Sequence, residues 1–191
     1  MKKIAYILRV ITVAPIMALL MLLILYLRDP LLFGNTLHFA LSVLFLVVLP
    51  LSAYPLQPLV KKYKDKGREG QRTLALIFAV AGYVLGCLSA LIFGAPQDVL
   101  VIFLSYLLSG AFVAIFNKIF HFRASGHACG VTGPFLLLVY FGQPIGYIGF
   151  AFLILAWMSS LYMKRHTNMQ LTVGAAIPFA AVALLFIISV A

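Results

Sequence analysis

Lys61-Lys62-Tyr63-Lys64-Asp65-Lys66-Gly67-Arg68-Glu69-Gly70-Gln71-Arg72 is the only strongly hydrophilic stretch in the chain. On both sides the sequence is apolar, from about Leu37 to Val60 and from Thr73 to Phe93. Each flank exceeds the roughly 20 residues that a helix needs to cross a bilayer. Charges this dense stay out of hydrocarbon, where each costs several kcal/mol. The stretch therefore marks a membrane surface, and its flanks are spans.

The same alternation continues outward. Towards the amino end, a first apolar run from about Ala5 to Leu27 is interrupted by Arg9, close enough to its end to snorkel to the interface, and is broken by Arg28-Asp29-Pro30. Pro50, Pro55 and Pro58 are expected to kink the end of the second run. Towards the carboxyl end, Gly94-Ala95-Pro96-Gln97-Asp98 turns into a fourth run, Val99 to Phe116, and Asn117 to His127 is a second polar segment. Two shorter runs, about Ala128 to Phe141 and Ile145 to Tyr162, flank Gly142-Gln143-Pro144; of all the spans this pair is the weakest, because its first member is short. Lys164-Arg165-His166 is a third polar segment, and a last run goes from about Thr167 to Ala191.

Composition agrees. Of 191 residues, 64% are hydrophobic and 9% charged, with mean hydropathy +1.13, against about 25% charged in soluble domains. The expected fold is an all-α polytopic transmembrane helical bundle of about six or seven spans, a single domain over residues 1–191 with no room for a separate soluble one. The run after Met1-Lys2-Lys3 is too long for a signal-peptide core and lacks a small-residue cleavage site, so the first span is expected to stay in the protein. Cys87 and Cys129 lie far apart in apolar runs without C-x-x-C spacing, which points to two buried thiols. Gly82/Gly86, Gly126/Gly130 and Gly142/Gly146 have the spacing of close helix packing.

Charge placement sets an orientation. With seven spans, Lys2/Lys3, Lys61–Arg72, Lys118/Arg123 and Lys164/Arg165 fall on one face, whereas the other carries Arg28, Asp29 and Asp98. Lys/Arg excess marks cytoplasmic loops. The expectation is a plasma (inner) membrane protein with its amino end in the cytoplasm and its carboxyl end outside. The net charge of +10 then speaks to membrane lipids, not to nucleic acid.

Three polar segments share the cytoplasmic face. In Arg123-Ala124-Ser125-Gly126-His127, Ser125 can cap a helix that opens at Gly126, leaving free N–H groups that attract an anion. Arg68 and Arg72 are four apart, on one side of a helix if the loop runs into the third span, with Asp65 or Glu69 available to hold them. Arg165, His166, Thr167 and Gln170 form the third group; the Gln170 amide oxygen, four residues on, can accept from the His166 imidazole and fix its tautomer. Each segment alone is also a topology signal, a helix stop or a capping loop, and His38 and His121 read as interfacial residues. Together, two histidines and several arginines beside a helix start suit a dianionic phosphate, with one imidazole as nucleophile and the other as acid. Asp65 and Glu69 are too few for a Mg²⁺ cage, two histidines are too few for zinc, and no G-x-x-x-x-G-K-[ST] loop occurs, so no metal or other cofactor is expected.

These three segments resemble the signature motifs of the type 2 phosphatidic acid phosphatase superfamily, in a divergent prokaryotic form. The forms D-x-x-R-E-x-x-R, K/R-x-S-x-H and R-H-T-x-x-Q are similar to Asp65–Arg72, Arg123–His127 and Arg165–Gln170, the last followed by a small-residue helix with Gly174. They occur in the family's order over residues 65–174. The resemblance implies a metal-independent phosphatase acting on lipid or prenyl phosphates: His166 attacks phosphorus, His127 protonates the leaving oxygen, Gln170 orients His166, and Arg68, Arg72, Arg123, Arg165 and the amides after Ser125, beginning with Gly126, hold the phosphate. The commoner third motif, S-R-x5-H-x3-D, has arginine where this chain has Ser160 and aspartate where it has Gln170; the commoner first, K-x6-R-P, is met only by Lys61 and Arg68, with Glu69 in place of proline. Two alternatives remain: a protein that binds or transports a lipid phosphate without cleaving it, and a purely structural bundle. Substrate tail, mono- or diphosphate preference and oligomeric state are not written in the sequence. Phe116, Phe120 and Phe122 can receive an acyl or prenyl tail or form a lipid-facing belt.

Overall fold

The structure is a computed structural model, described over residues 2–190, in which every regular element is helical and no strand occurs among the described residues. In order these are α1 (Lys2–Ile11), α2 (Ala14–Arg28), α3 (Thr36–Val43), α4 (Leu49–Leu56), α5 (Gly67–Ile92), α6 (Gln97–Lys118), α7 (Gly126–Tyr140), α8 (Gly149–Tyr162) and α9 (Asn168–Val190). α3 and α4 join through a π turn, Leu44–Val48, into one rod over Thr36–Leu59. Pro50 has no N–H for the Leu46 carbonyl and its ring presses on it, so the turn before it opens. A 3-10 turn, Pro144–Ile148, leads into α8. The Thr36–Leu59 rod, α5, α6, Pro144–Tyr162 and α9 are each long and apolar enough to cross a membrane. α2 and α7, at 15 residues, are shorter apolar helices, about 22 Å long against a hydrocarbon core of about 30 Å. The chain is a multi-pass helical membrane bundle. Met1, and Ala191 at the end of the last run, lie outside the described residues.

The expected first span is not one helix. α1 ends at Ile11, Val13 is extended (φ −66°, ψ 141°), and α2 restarts with Pro15 in its first turn. Pro15 cannot donate to the Ile11 carbonyl and its ring crowds it, which favours a restart here, whereas Pro134 and Pro178 are accommodated inside α7 and α9. α1 is a separate ten-residue helix packed against α8.

α7 occupies the middle, packed against α2, α6, α8 and α9. The main core joins Met21, Leu22 and Leu25 of α2, Ile102 and Phe103 of α6, and Leu137 and Leu138 of α7. Close approach rests on small residues: a Cβ on Gly86 would enter the Phe103 ring, and one on Gly130 would strike Ala14. Cys87 and Cys129 are buried and free. Large apolar side chains such as Leu91, Ile92, Phe150 and Ile187 stay exposed, as a lipid-facing surface requires. At one end of the bundle, His38 is buried among the loops that end the helices, its Nδ1 2.9 Å from the Phe33 carbonyl and its Nε2 3.3 Å from the Phe93 carbonyl. The α1–α2 break and the loops preceding α5, α7 and α9 gather at the opposite end.

Candidate functional site

The third polar segment is fixed from both sides. α8 stops in a Schellman turn: Arg165 N–H donates to Ser160 C=O at 2.9 Å and Lys164 N–H to Leu161 C=O at 2.9 Å, with Lys164 left-handed (φ 51°). Two residues later α9 starts in a reciprocal capping box, Gln170 N–H donating to Thr167 Oγ1 and Thr167 N–H to Gln170 Oε1, both 3.3 Å. His166 sits between this stop and this start, half-buried.

Its tautomer follows. Gln170 Oε1 lies 3.1 Å from His166 Nδ1. Because Oε1 also receives the Thr167 N–H, this end of the amide is the oxygen, a pure acceptor. Nδ1 therefore carries the proton, and Nε2 keeps its lone pair. Burial pushes the His166 pKa below its ordinary 6.5, the Gln170 hydrogen bond partly opposes this, and the charges of Arg72, Arg9 and Arg123 add to the lowering.

The second segment is tied to the third. Ser125 N–H donates to Gln170 C=O at 2.9 Å, and the fully buried Ser125 Oγ caps α7 by accepting from Ala128 N–H at 3.2 Å. Cys129 N–H is taken by Ser125 C=O, which leaves Gly126 and His127 as the open amides of the first turn. α9 comes this close because of Gly174, where a Cβ would strike the Ser125 backbone. Below lies a small cluster of Val113, Ala124, Cys129 and Ile177, flanked by Phe116 and Phe122, while Phe120 points outward and is exposed.

In the first segment, α5 begins at Gly67, so Arg68 and Arg72 do share a helix side. Gln57 secures the loop, its amide donating to Gly67 C=O at 2.7 Å. Asp65 does not hold the arginines: it is exposed and faces Lys64 at 4.0 Å, the one ion pair among the described residues. Glu69 acts on Arg72 only through its field, alongside the positive charges of Arg123 and Arg68. A cleft of about 530 Å³ is lined by Arg68, Tyr162, Met163, Lys164 and Arg165. Of the expected site residues, Arg68 and Arg165 line this cleft, while His166 feels the charges of Arg72, Arg9 and Arg123, and His127 those of Arg9 and His166. Among the described residues no three His, Cys, Asp or Glu gather as metal ligands.

Two neighbours escaped the sequence reading. Arg9 does not snorkel outward; its guanidinium donates to Ser160 Oγ at 3.2 Å. Thr12, buried, donates its hydroxyl to Leu8 C=O at 2.7 Å and lies 3.1 Å from His127 Nε2. With its one proton spent on Leu8, the Thr12 oxygen accepts, so Nε2 of His127 is the protonated nitrogen. The signal for both was Pro15, which breaks the run and folds its first ten residues back onto α8.

No protein-family model, curated protein or solved structure matches the chain.

Proposed function

We propose that the protein is a metal-independent membrane phosphatase that hydrolyses lipid or prenyl (di)phosphates through a phosphohistidine, with its site open to the cytoplasm. The observation that carries this reading is the pairing of a nucleophile-ready His166 with guanidinium groups that have no ion-pair partner among the described residues. Half-buried like charges repel, and a bound polyanion offsets that repulsion. Supporting it are the open amides at the start of α7 and the likeness of the three motifs to the phosphatidic acid phosphatases.

In the reaction, the lone pair on His166 Nε2 forms the N–P bond while the P–O bond to the lipid breaks. The leaving oxygen takes a proton from Nδ1 of His127; in the free site that imidazole is neutral with its proton on Nε2, and it takes up the second proton from the bound phosphate monoanion. Because Nε2 of His127 is held on Thr12, Nδ1 is the nitrogen left to exchange that proton. Water then attacks phosphorus, giving its proton to the now neutral His127; the N–P bond breaks and inorganic phosphate leaves. Arg68, Arg72, Arg123, Arg165 and the Gly126 and His127 amides hold the oxygens and spread the transition-state charge. Gln170 orients His166 but, being neutral, gives the phosphohistidine less support than a carboxylate would.

The membrane orientation rests on the basic loops gathered at the site's end of the bundle, which the positive-inside rule places in the cytoplasm, together with the amino end. The test is phosphate release by the purified protein in detergent with EDTA, from phosphatidic acid, farnesyl diphosphate and polyprenyl diphosphate. Release that survives EDTA and vanishes in His166→Ala is expected. Absence of release from all three, with retained binding, would make the protein a lipid-phosphate binder instead.

A further inference from the structure

The amino-terminal helix α1 is too short to span: ten residues cover about 15 Å. Ile7, Val10 and Ile11, at i, i+3 and i+4, give it an exposed apolar stripe. Arg9 lies off that stripe, half-buried, on the side that meets α8. Its contact is specific: the guanidinium donates to Ser160 Oγ across 151 positions of sequence. Ser160 is fully buried, and its carbonyl is the one that receives Arg165 N–H in the Schellman turn. Arg9 is thus anchored on the turn that positions Arg165 and His166.

Ser160 is a neutral partner. No carboxylate pairs with Arg9 among the described residues, and Arg68 and Arg72 lie close enough for their charges to repel it. A guanidinium has five N–H donors, of which Ser160 takes one. The end of the same helix reaches the site independently, through Thr12 on His127.

We propose that Arg9 is a phosphate-binding residue and that α1 is a working part of the site, which the bundle from α2 onward does not complete alone. This rests on the phosphatase reading given above. Arg9 approaches the anion from the α8 side, across from Arg68 and Arg72 of α5, so the phosphate is clamped between the amino-terminal helix and the remainder of the cation cluster.

The test is titration of inorganic phosphate into the full-length protein in detergent with EDTA, followed by calorimetry. Arg9→Gln is expected to weaken phosphate binding about tenfold or more, Arg9→Lys to recover part of it, and Lys3→Gln, an equal loss of charge at an exposed position of the same helix, to leave it unchanged. Ser160→Ala, which keeps the charge and removes its anchor, is expected to weaken binding to a smaller extent and covers the case in which Arg9→Gln does not fold. Arg9→Gln and Ser160→Ala proteins that fold and bind phosphate as the parent does would overturn the proposal while leaving the phosphatase reading intact. A parent protein that binds no phosphate would overturn both.

Discussion

At the residue scale, the account turns on one amide oxygen. Gln170 Oε1 closes the capping box and orients His166 at once, so under the proposed mechanism the residue serves folding and chemistry with a single atom. His166 is held below its ordinary pKa, chiefly by burial and further by three arginines. It is therefore neutral at pH 7, and the nucleophilic form is lost only as pH falls through that lowered value. The acid limb of kcat/KM should lie below pH 6.5. Arg72→Gln removes one repelling charge and should move the limb up. Gln170→Glu keeps both accepted hydrogen bonds and adds a negative charge that favours the imidazolium, so it should move the limb up further. An unmoved limb in both variants would mean that His166 is not the titrating group. Spacing made the Gln170 contact legible, because residues four apart on a helix meet. It could not show Arg9 on Ser160, since no local rule connects positions 151 apart.

At the scale of elements, the site is a junction of helix ends: the capped start of α7, the stop of α8, the boxed start of α9 and the first turns of α5. Gly174 sets the approach of α9 to Ser125. Gly174→Val forces that contact apart at a cost of about 1–3 kcal/mol, and phosphate release should fall with thermal stability. Lys164→Gly should do the reverse for stability, raising it by roughly 0.5–1 kcal/mol, because glycine takes the left-handed Schellman position without steric cost. Thermal unfolding in detergent checks both, and opposite signs are required. The cap at Ser125 was legible because Ser before an apolar run has one dominant local use; the same rule applies to Thr167, whose capping role the sequence reading passed over. The division of the first run was also encoded, at Pro15, but hydropathy averages over a proline whereas the backbone does not. Asp65 went the other way: its sequence position suggested an arginine partner, but it is exposed and faces the neighbouring Lys64 across 4.0 Å, a contact worth little in water.

At the scale of the whole molecule, the bundle is a means of bringing loops 60–67, 119–125 and 163–167 and the α1–α2 break to one end. Hydropathy and charge parity were enough to foresee that gathering, because the cost of placing charge in lipid is large and non-specific. They could not foresee which helix would occupy the centre: α7, short and apolar after His127, reads as the weakest span yet packs against four neighbours. A reporter fused after Ala191 should be found outside the cytoplasm, and one fused within 61–66 should be found inside; the reverse pattern would turn the site outward and change its substrates.

The central claim is that phosphorus passes through His166. The most direct measurement is the intact mass of protein quenched under neutral or alkaline conditions during turnover of phosphatidic acid or a prenyl diphosphate, with fragmentation to locate the added group. The account predicts one PO3H group on His166 in the parent protein, reduced in His127→Ala when phosphatidic acid is the substrate, because its alkoxide leaves only with a proton, and absent from His166→Ala. Phosphate release without any phosphohistidine, or undiminished turnover in His166→Ala, would contradict it.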